Sequence, residues 1–207
     1  EVNDRTPRDS FYHCLKNSAH QFHNKQGDCH YILAGYPWFK CRARDLFVSL
    51  PGLTLAIDEP EEFEDVMETA QKTLRCYMNN IPVDCKIYEL DDPDVLLWAV
   101  WALQQYAKET TREKCRIKYG DLLLEIIDFI RKGKHNNLFL HDNGLLYTHG
   151  ANKPVTWMNS TIDGHPVIPR TGYVVEVNAL WYNALRFVAD MLKEDEYEPT
   201  ETKVFTL

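Results

Sequence analysis

The sequence predicts an all-α fold interrupted by one small β-hairpin and one long loop. Three observations lead there. Six segments carry helical periodicity, and they alternate between two kinds: apolar along one stripe, or apolar around most of the circumference. A helix striped on one side lies at a surface, whereas one apolar all round lies inside. The strand and turn signals fall together, between positions 134 and 175. The 207 residues are 44% hydrophobic and 26% charged, an ordinary balance for a globular domain with a sizeable core. The order outer, inner, outer, inner, outer, inner describes three helical hairpins in two layers. That is about half of a six-hairpin α/α toroid; an irregular helical bundle would show the same periodicity.

Residues 8–24 read as an outer helix, with Phe11, Leu15, Ala19 and Phe22 on one face. Residues 43–57 are inner: Leu46, Phe47, Val48, Leu50, Leu53, Leu55 and Ile57 surround the axis, and Pro51-Gly52 should kink or interrupt it. Residues 60–80 are outer again, with Phe63, Val66, Met67, Ala70, Leu74 and Tyr77 in one stripe. Asp58 or Glu59 is placed to cap that helix, and Pro60 suits its first position. Residues 93–107 are inner, apolar without a break from Val95 to Val100. Residues 112–132 are outer, burying Leu122, Leu123, Ile126, Ile127 and Ile130. Residues 176–193 are the third inner segment, with Ala179, Leu180, Trp181, Ala184, Leu185, Val188 and Leu192.

Between the last two helices, Leu138-Phe139-Leu140 and Leu145-Leu146-Tyr147 flank His141-Asp142-Asn143-Gly144. An Asn-Gly between apolar runs is a strong hairpin signal. The rest, to Thr171-Gly172, is rich in Gly, Pro, Asn and Thr. A loop of that length within a domain is usually functional or disordered, and Trp157-Met158 in its middle argues for the former.

Net charge is −8 at pH 7, and the basic clusters, Lys40–Arg44 and Arg131–Lys134, are short. No nucleic-acid partner is expected from such a surface. No run approaches 18 apolar residues, so no membrane span is expected. The six cysteines form no Cys-x-x-Cys pair, and Cys14, Cys76 and Cys115 fall within helical patterns as small apolar residues. Cys29 and Cys41 are not expected to bridge. A reducing compartment, the cytoplasm, fits this usage. Asn159-Ser160-Thr161 matches a glycosylation acceptor, a triplet common by chance. The first residue is Glu1, and the chain is expected to be a single domain, 1–207, excised from a longer protein.

Polar residues enter the inner helices at their starts: Arg44-Asp45, Asp94 and Glu176. All three would then share one rim. Carboxylates at helix N-termini also serve as caps, so Asp94 has that alternative. Ala34-Gly35-Tyr36-Pro37-Trp38-Phe39 precedes the first inner helix and presents flat aromatic faces. Such faces beside carboxylates and arginine suit sugar rings, although core packing explains Phe39 as well. Motifs for serine hydrolases, phosphate-binding loops and helical zinc sites are absent. His13, His20, His23 and His30 cluster early without a recognised ligand spacing, so no metal and no cofactor is expected.

Several motifs in order resemble the glucosidase domain of glycogen debranching enzymes. They are Ala34–Phe39, Arg44-Asp45, Ser49-Leu50-Pro51-Gly52-Leu53, Asp94 to Trp98, Asn143-Gly144-Leu145-Leu146, Thr156-Trp157-Met158, Pro169-Arg170 and Glu176 to Leu185. The resemblance spans roughly residues 30–190. It implies an (α/α)6 barrel of the glucoamylase kind and inverting hydrolysis of α-1,6-linked glucose on glycogen or a limit dextrin. It does not separate α-1,6 from α-1,4 preference. Inversion needs an acid and a base about 6.5–9.5 Å apart with water between. By the resemblance, Arg44 and Asp45 hold hydroxyls of the terminal glucose, and Trp38 and Trp157 line the pocket; Asp94 and Glu176, from their place at the same rim, are expected to bind substrate with them.

The sequence also departs from that family. Its general acid directly follows Trp-Met, and here that position is Asn159. An amide cannot deliver a proton as a carboxylic acid does. Asp163, four residues on, is the candidate substitute. The family's Trp-Gly before Arg-Asp is replaced by Arg42-Ala43. The family's general base is not found before Leu207, so this chain is expected to be an inactive N-terminal half that self-associates through its open edge. The alternative is a non-catalytic α-glucan-binding relative that has lost its acid.

Overall fold

A computed structural model describes residues 7–82, 86–150 and 153–191. Helix α1 (Phe11–His20) leads into a hairpin of β1 (His23–Gln26) and β2 (Cys29–Ile32). Strand β3 (Cys41–Arg42) runs directly into α2 (Ala43–Leu53), and a 3-10 turn (Leu55–Ile57) precedes α3 (Pro60–Met78). Strand β4 (Ile87–Tyr88) precedes α4 (Val95–Glu109) and α5 (Arg112–Arg131). The hairpin β5 (Leu138–Leu140) and β6 (Leu146–Thr148) follows, then β7 (Thr161–Ile162) paired with β8 (His165–Pro166), then α6 (Val175–Met191). The fold is thus mostly helical, with four small two-stranded pairings.

Helices α2, α4 and α6 pack in sequence order, α4 lying between the other two. Helix α4 buries Val95, Leu96, Leu97, Ala99, Val100, Ala102, Leu103, Tyr106 and Ala107, which is why its sequence is apolar all round. Trp98 and Trp101 are half-buried and meet edge to face at 5.4 Å. Its two flanking helices each leave something open: Val48 on α2, and Val175 and Tyr182 on α6. Helices α3 and α5 cover α4 with the stripes expected of them, from Phe63 to Leu74 and from Leu122 to Ile130. Phe63 and Tyr106 stack at 4.9 Å.

Three local outcomes differ from the sequence reading. The first helix stops at His20, and Phe11 and Leu15 are exposed rather than packed; Asn17 and Ala19 are its buried residues. Ser10 caps its start, accepting from the His13 amide at 3.1 Å. The chain then leaves the helix because His23–Gln26 pair with Cys29–Ile32 around Gly27-Asp28, with Gly27 at φ 61. Pro51 does not interrupt α2, which runs on to Leu53. Thr54 then closes the end, its hydroxyl donating to the Leu50 carbonyl at 2.6 Å. Asp58 adopts a left-handed conformation and Glu59 takes the N-cap position of α3, neither with a side-chain cap bond. As expected, Cys29 and Cys41 are not joined by a disulfide.

The Asn-Gly hairpin forms as a three-residue loop. Gly144 donates to the His141 carbonyl at 2.9 Å, and Gly144, at φ 82, supplies the left-handed position. Among the described residues, no helix is long and apolar enough to cross a membrane.

Candidate functional site

Two short pairings assemble the helix starts. Strands β3 and β4 run parallel, Cys41 opposite Ile87 and Arg42 opposite Tyr88. Strand β3 leads into α2 and β4 precedes α4, so the pairing sets the N-termini of α2 and α4 side by side. Arg42 reinforces the pair with two bonds of 2.8 Å to Glu89. Arg44, on the first turn of α2, therefore reaches the carboxylates ahead of α4. Its Nε donates to Asp94 at 2.8 Å, and Nη2 donates to Asp92 at 2.6 Å and to Asp94 at 2.9 Å. Nη2 also reaches the Val155 carbonyl at 3.4 Å, and Nη1 has no partner among the described residues.

Asp94 occupies the N-cap position of α4, yet its carboxylate makes no cap bond. It accepts from Arg44 and from Trp98 Nε1 at 3.1 Å instead. The capping explanation for Asp94 therefore fails. Burial pushes Asp92 up to about 6, against the pull of Arg44 and with Asp94 and Glu89 adding repulsion. Burial disfavours the charge on Arg44, but the two carboxylates outweigh it and hold Arg44 protonated. Nearby, His135 is buried; desolvation depresses its pKa to about 4, and its Nδ1 accepts from the Asn137 amide at 3.0 Å.

The second pairing joins the long loop to α6. Asn178 mimics a strand: its Oδ1 accepts from the Leu146 amide at 2.8 Å, and its Nδ2 donates to the Leu146 carbonyl at 3.0 Å. Trp181 Nε1 donates to the Gly144 carbonyl at 3.3 Å. The loop is closed at its neck by a bridge between Thr148 and Gly172 and by the Gly150 amide donating to Thr171 Oγ1 at 2.9 Å. Gly150 has no room for a side chain: a Cβ there would lie 2.3 Å from the Pro169 carbonyl and 2.6 Å from Val155 Cγ2. Within this frame Trp157 Nε1 donates to Glu176 at 3.1 Å, and Arg170 pairs with Glu176 while lying 5.9 Å from the Trp157 ring centre. Arg170 holds a positive φ of 53, an unfavourable conformation for its residue type.

The structure brings some of the expected residues together and leaves others apart. Arg44 and Asp94, and Trp157 and Glu176, form two clusters bridged by the Val155–Trp157 segment. Asp45 stays half-exposed at the same rim, 3.8 Å from Arg42. Trp38 is 83% exposed and makes no hydrogen bond or ring contact among the described residues. Asn159 and Asp163 are exposed on the outer part of the loop. Asp163 and Gly164, at φ 50 and 80, are the two central residues of the β7–β8 turn. That turn type favours Asp-Gly, which accounts for the residue at 163 without catalysis. Asp92 and Arg170 were missed as site residues. The acidic run Asp91-Asp92-Pro93-Asp94 was a visible signal for the first.

These helix starts, with their carboxylates, arginines and an exposed tryptophan, belong to a glycosidase-related domain. Residues 16–206 match the amylo-alpha-1,6-glucosidase family, and the chain belongs to that family. No curated protein and no solved structure matches it.

Proposed function

We propose that the chain forms part of an α-glucan site that releases α-1,6-linked glucose from branch stubs of glycogen or limit dextrin by inversion. The observation that carries this reading, beside family membership, is the shared rim of Arg44, Asp94, Trp157 and Glu176. Arg44 Nη1 and the half-exposed Asp45 offer a donor and an acceptor to sugar hydroxyls. The 58% exposed Trp157 offers a flat apolar face to the ring. Its edge is held by Glu176 and its face by Arg170, so the platform is set before ligand arrives. Exposed apolar side chains in the loop and at the start of α6, Ile162, Val167, Tyr173 and Val175, support burial against another surface, a second copy included.

A second reading has its own support: a binding relative without catalysis. Asn159 stands at the family's acid position, and Asp163 is engaged in a turn. Glucose release from a singly branched malto-oligosaccharide, with the anomer followed by NMR, separates the two. Hydrolysis predicts β-glucose first. It also predicts loss of turnover in Asp163→Asn, or a gain of at least about a hundredfold in Asn159→Asp. Saturable binding without release in the parent and in both variants favours the binding relative. Neither binding nor release overturns both readings.

A further inference from the structure

A cleft of 910 Å³ lies away from the rim, between the β1–β2 hairpin and the start of α3. His20, His23, His30, Glu59, Glu62 and Asp65 are among its lining residues. We propose that His30, Glu62 and Asp65, with His23 beside them, bind a divalent transition-metal ion, zinc by the chemistry of the donors. The register of the hairpin puts His23 and His30 on one face, since His30 pairs with Lys25 and His23 lies two residues before it. Glu62 and Asp65, three apart on α3, present their carboxylates on one side of that helix. The ligand atoms of His30, Glu62 and Asp65 all lie within 4.8 Å of one another.

The histidine geometry points to a cation rather than to ordinary ion pairs. His23 Nε2 stands 3.1 Å from the Leu53 carbonyl, which can only accept, so Nε2 carries the proton. In the neutral ring the Nδ1 lone pair then faces the Glu62 carboxylate, 3.6 Å away. His30 Nδ1 stands 3.7 Å from the Asp65 carboxylate, at a similar distance. At His23, two acceptors facing each other need a positive species between them. A shared proton would draw them to about 2.8 Å. The same cleft shows that distance where a proton does the work: His20 Nε2 and Glu59 are 2.7 Å apart. Separations of 3.6 and 3.7 Å instead approach the edge of a tetrahedron with ligands about 2.1 Å from zinc, which is about 3.4 Å. A backbone carbonyl holding the far nitrogen, as Leu53 does, is the usual outer partner of a metal-bound histidine. The remaining charges fit a cation as well. Glu59, Glu61, Glu62 and Asp65 line the cleft against Lys25, with Lys16 committed to Glu59. Imidazole and carboxylate together suit zinc and its neighbours over calcium or magnesium. Bound there, the ion fastens the hairpin to α3.

The test uses the tag-free full-length protein. Zinc binding is measured by calorimetry, and cobalt substitution by the visible bands of a tetrahedral ion. Wild type is expected to bind one zinc in the micromolar range or tighter. His30→Gln and Asp65→Asn should each weaken that binding at least tenfold, and both should abolish the cobalt spectrum. His20→Gln should leave both readouts unchanged. Unfolding temperature without metal, compared across the variants, shows that each still folds. Zinc should raise it in wild type and not in His30→Gln. Absence of binding at 100-fold excess zinc, or equal binding in wild type, His30→Gln and Asp65→Asn, overturns the proposal.

Discussion

Replacing Arg44 by methionine leaves the carboxylates of Asp92 and Asp94 facing each other without a counter-charge. Their side chains are only 11% and 2% exposed, so water cannot take over. Breaking a buried pair from one side costs about 3–5 kcal/mol. Asp94 keeps its bond from Trp98, and Asp92 has an escape in protonation, which lowers the expectation to about 3 kcal/mol at pH 7. For a domain of this size that is a fall of about 6–12 °C in unfolding temperature. The loss should shrink at pH 5. Asp92 already sits near 6 in the wild type, raised from 3.8, so the native state holds its proton between about 4 and 6. Its contribution to stability therefore falls as pH rises through that window. His135, lowered from 6.5 to about 4, contributes the opposite slope, so the variant must be compared with wild type at each pH. Urea unfolding followed by tryptophan fluorescence measures the difference. Adding Asp92→Asn and Asp94→Asn should recover most of it, because the stranded charges are gone. A loss below about 1 kcal/mol at pH 7, or one equal at pH 5 and 7, would refute the claim that Arg44 joins the two helix starts.

Gly150→Ala should cost about 1–3 kcal/mol and loosen the loop neck, since the new methyl meets the Pro169 carbonyl; protease nicking between 153 and 171 reports it. Asn178→Ala should cost about 1–3 kcal/mol by leaving the Leu146 amide and carbonyl unpaired, read from the denaturation midpoint. Asn178→Asp should recover little, because it turns a carboxylate oxygen toward the Leu146 carbonyl. Burial raises the Glu64 pKa, but bonds from Lys114, Lys118 and Tyr106 outweigh it and bring Glu64 down to about 2. Its stabilisation, about 2 kcal/mol after screening, is complete above about 4.5 and lost as pH falls toward 2. Glu64→Gln should flatten the acid limb of the stability curve over that range.

The helices were legible because burial writes itself into periodicity. Helix α4 is enclosed by α2, α3, α5 and α6, and its sequence is apolar on every side for that reason. Turn chemistry was equally plain at Asn143-Gly144, and it was present but passed over at Gly27-Asp28 and Asp163-Gly164. The motif order carried the family, which the match over residues 16–206 shows. What lay beyond the sequence were the partners of side chains far apart in the chain. Arg44 meets Asp92 and Asp94 only because a two-residue parallel pairing brings together segments almost fifty residues apart. Trp157 finds Glu176 only because Asn178, Gly150 and Thr148 close the loop. His30 finds Glu62 and Asp65 because a hairpin replaces the end of an expected helix and lies over α3. Periodicity reports which face of an element is buried and says nothing of what it faces. The charged groups of this protein take their roles from that second fact, which tertiary packing alone decides.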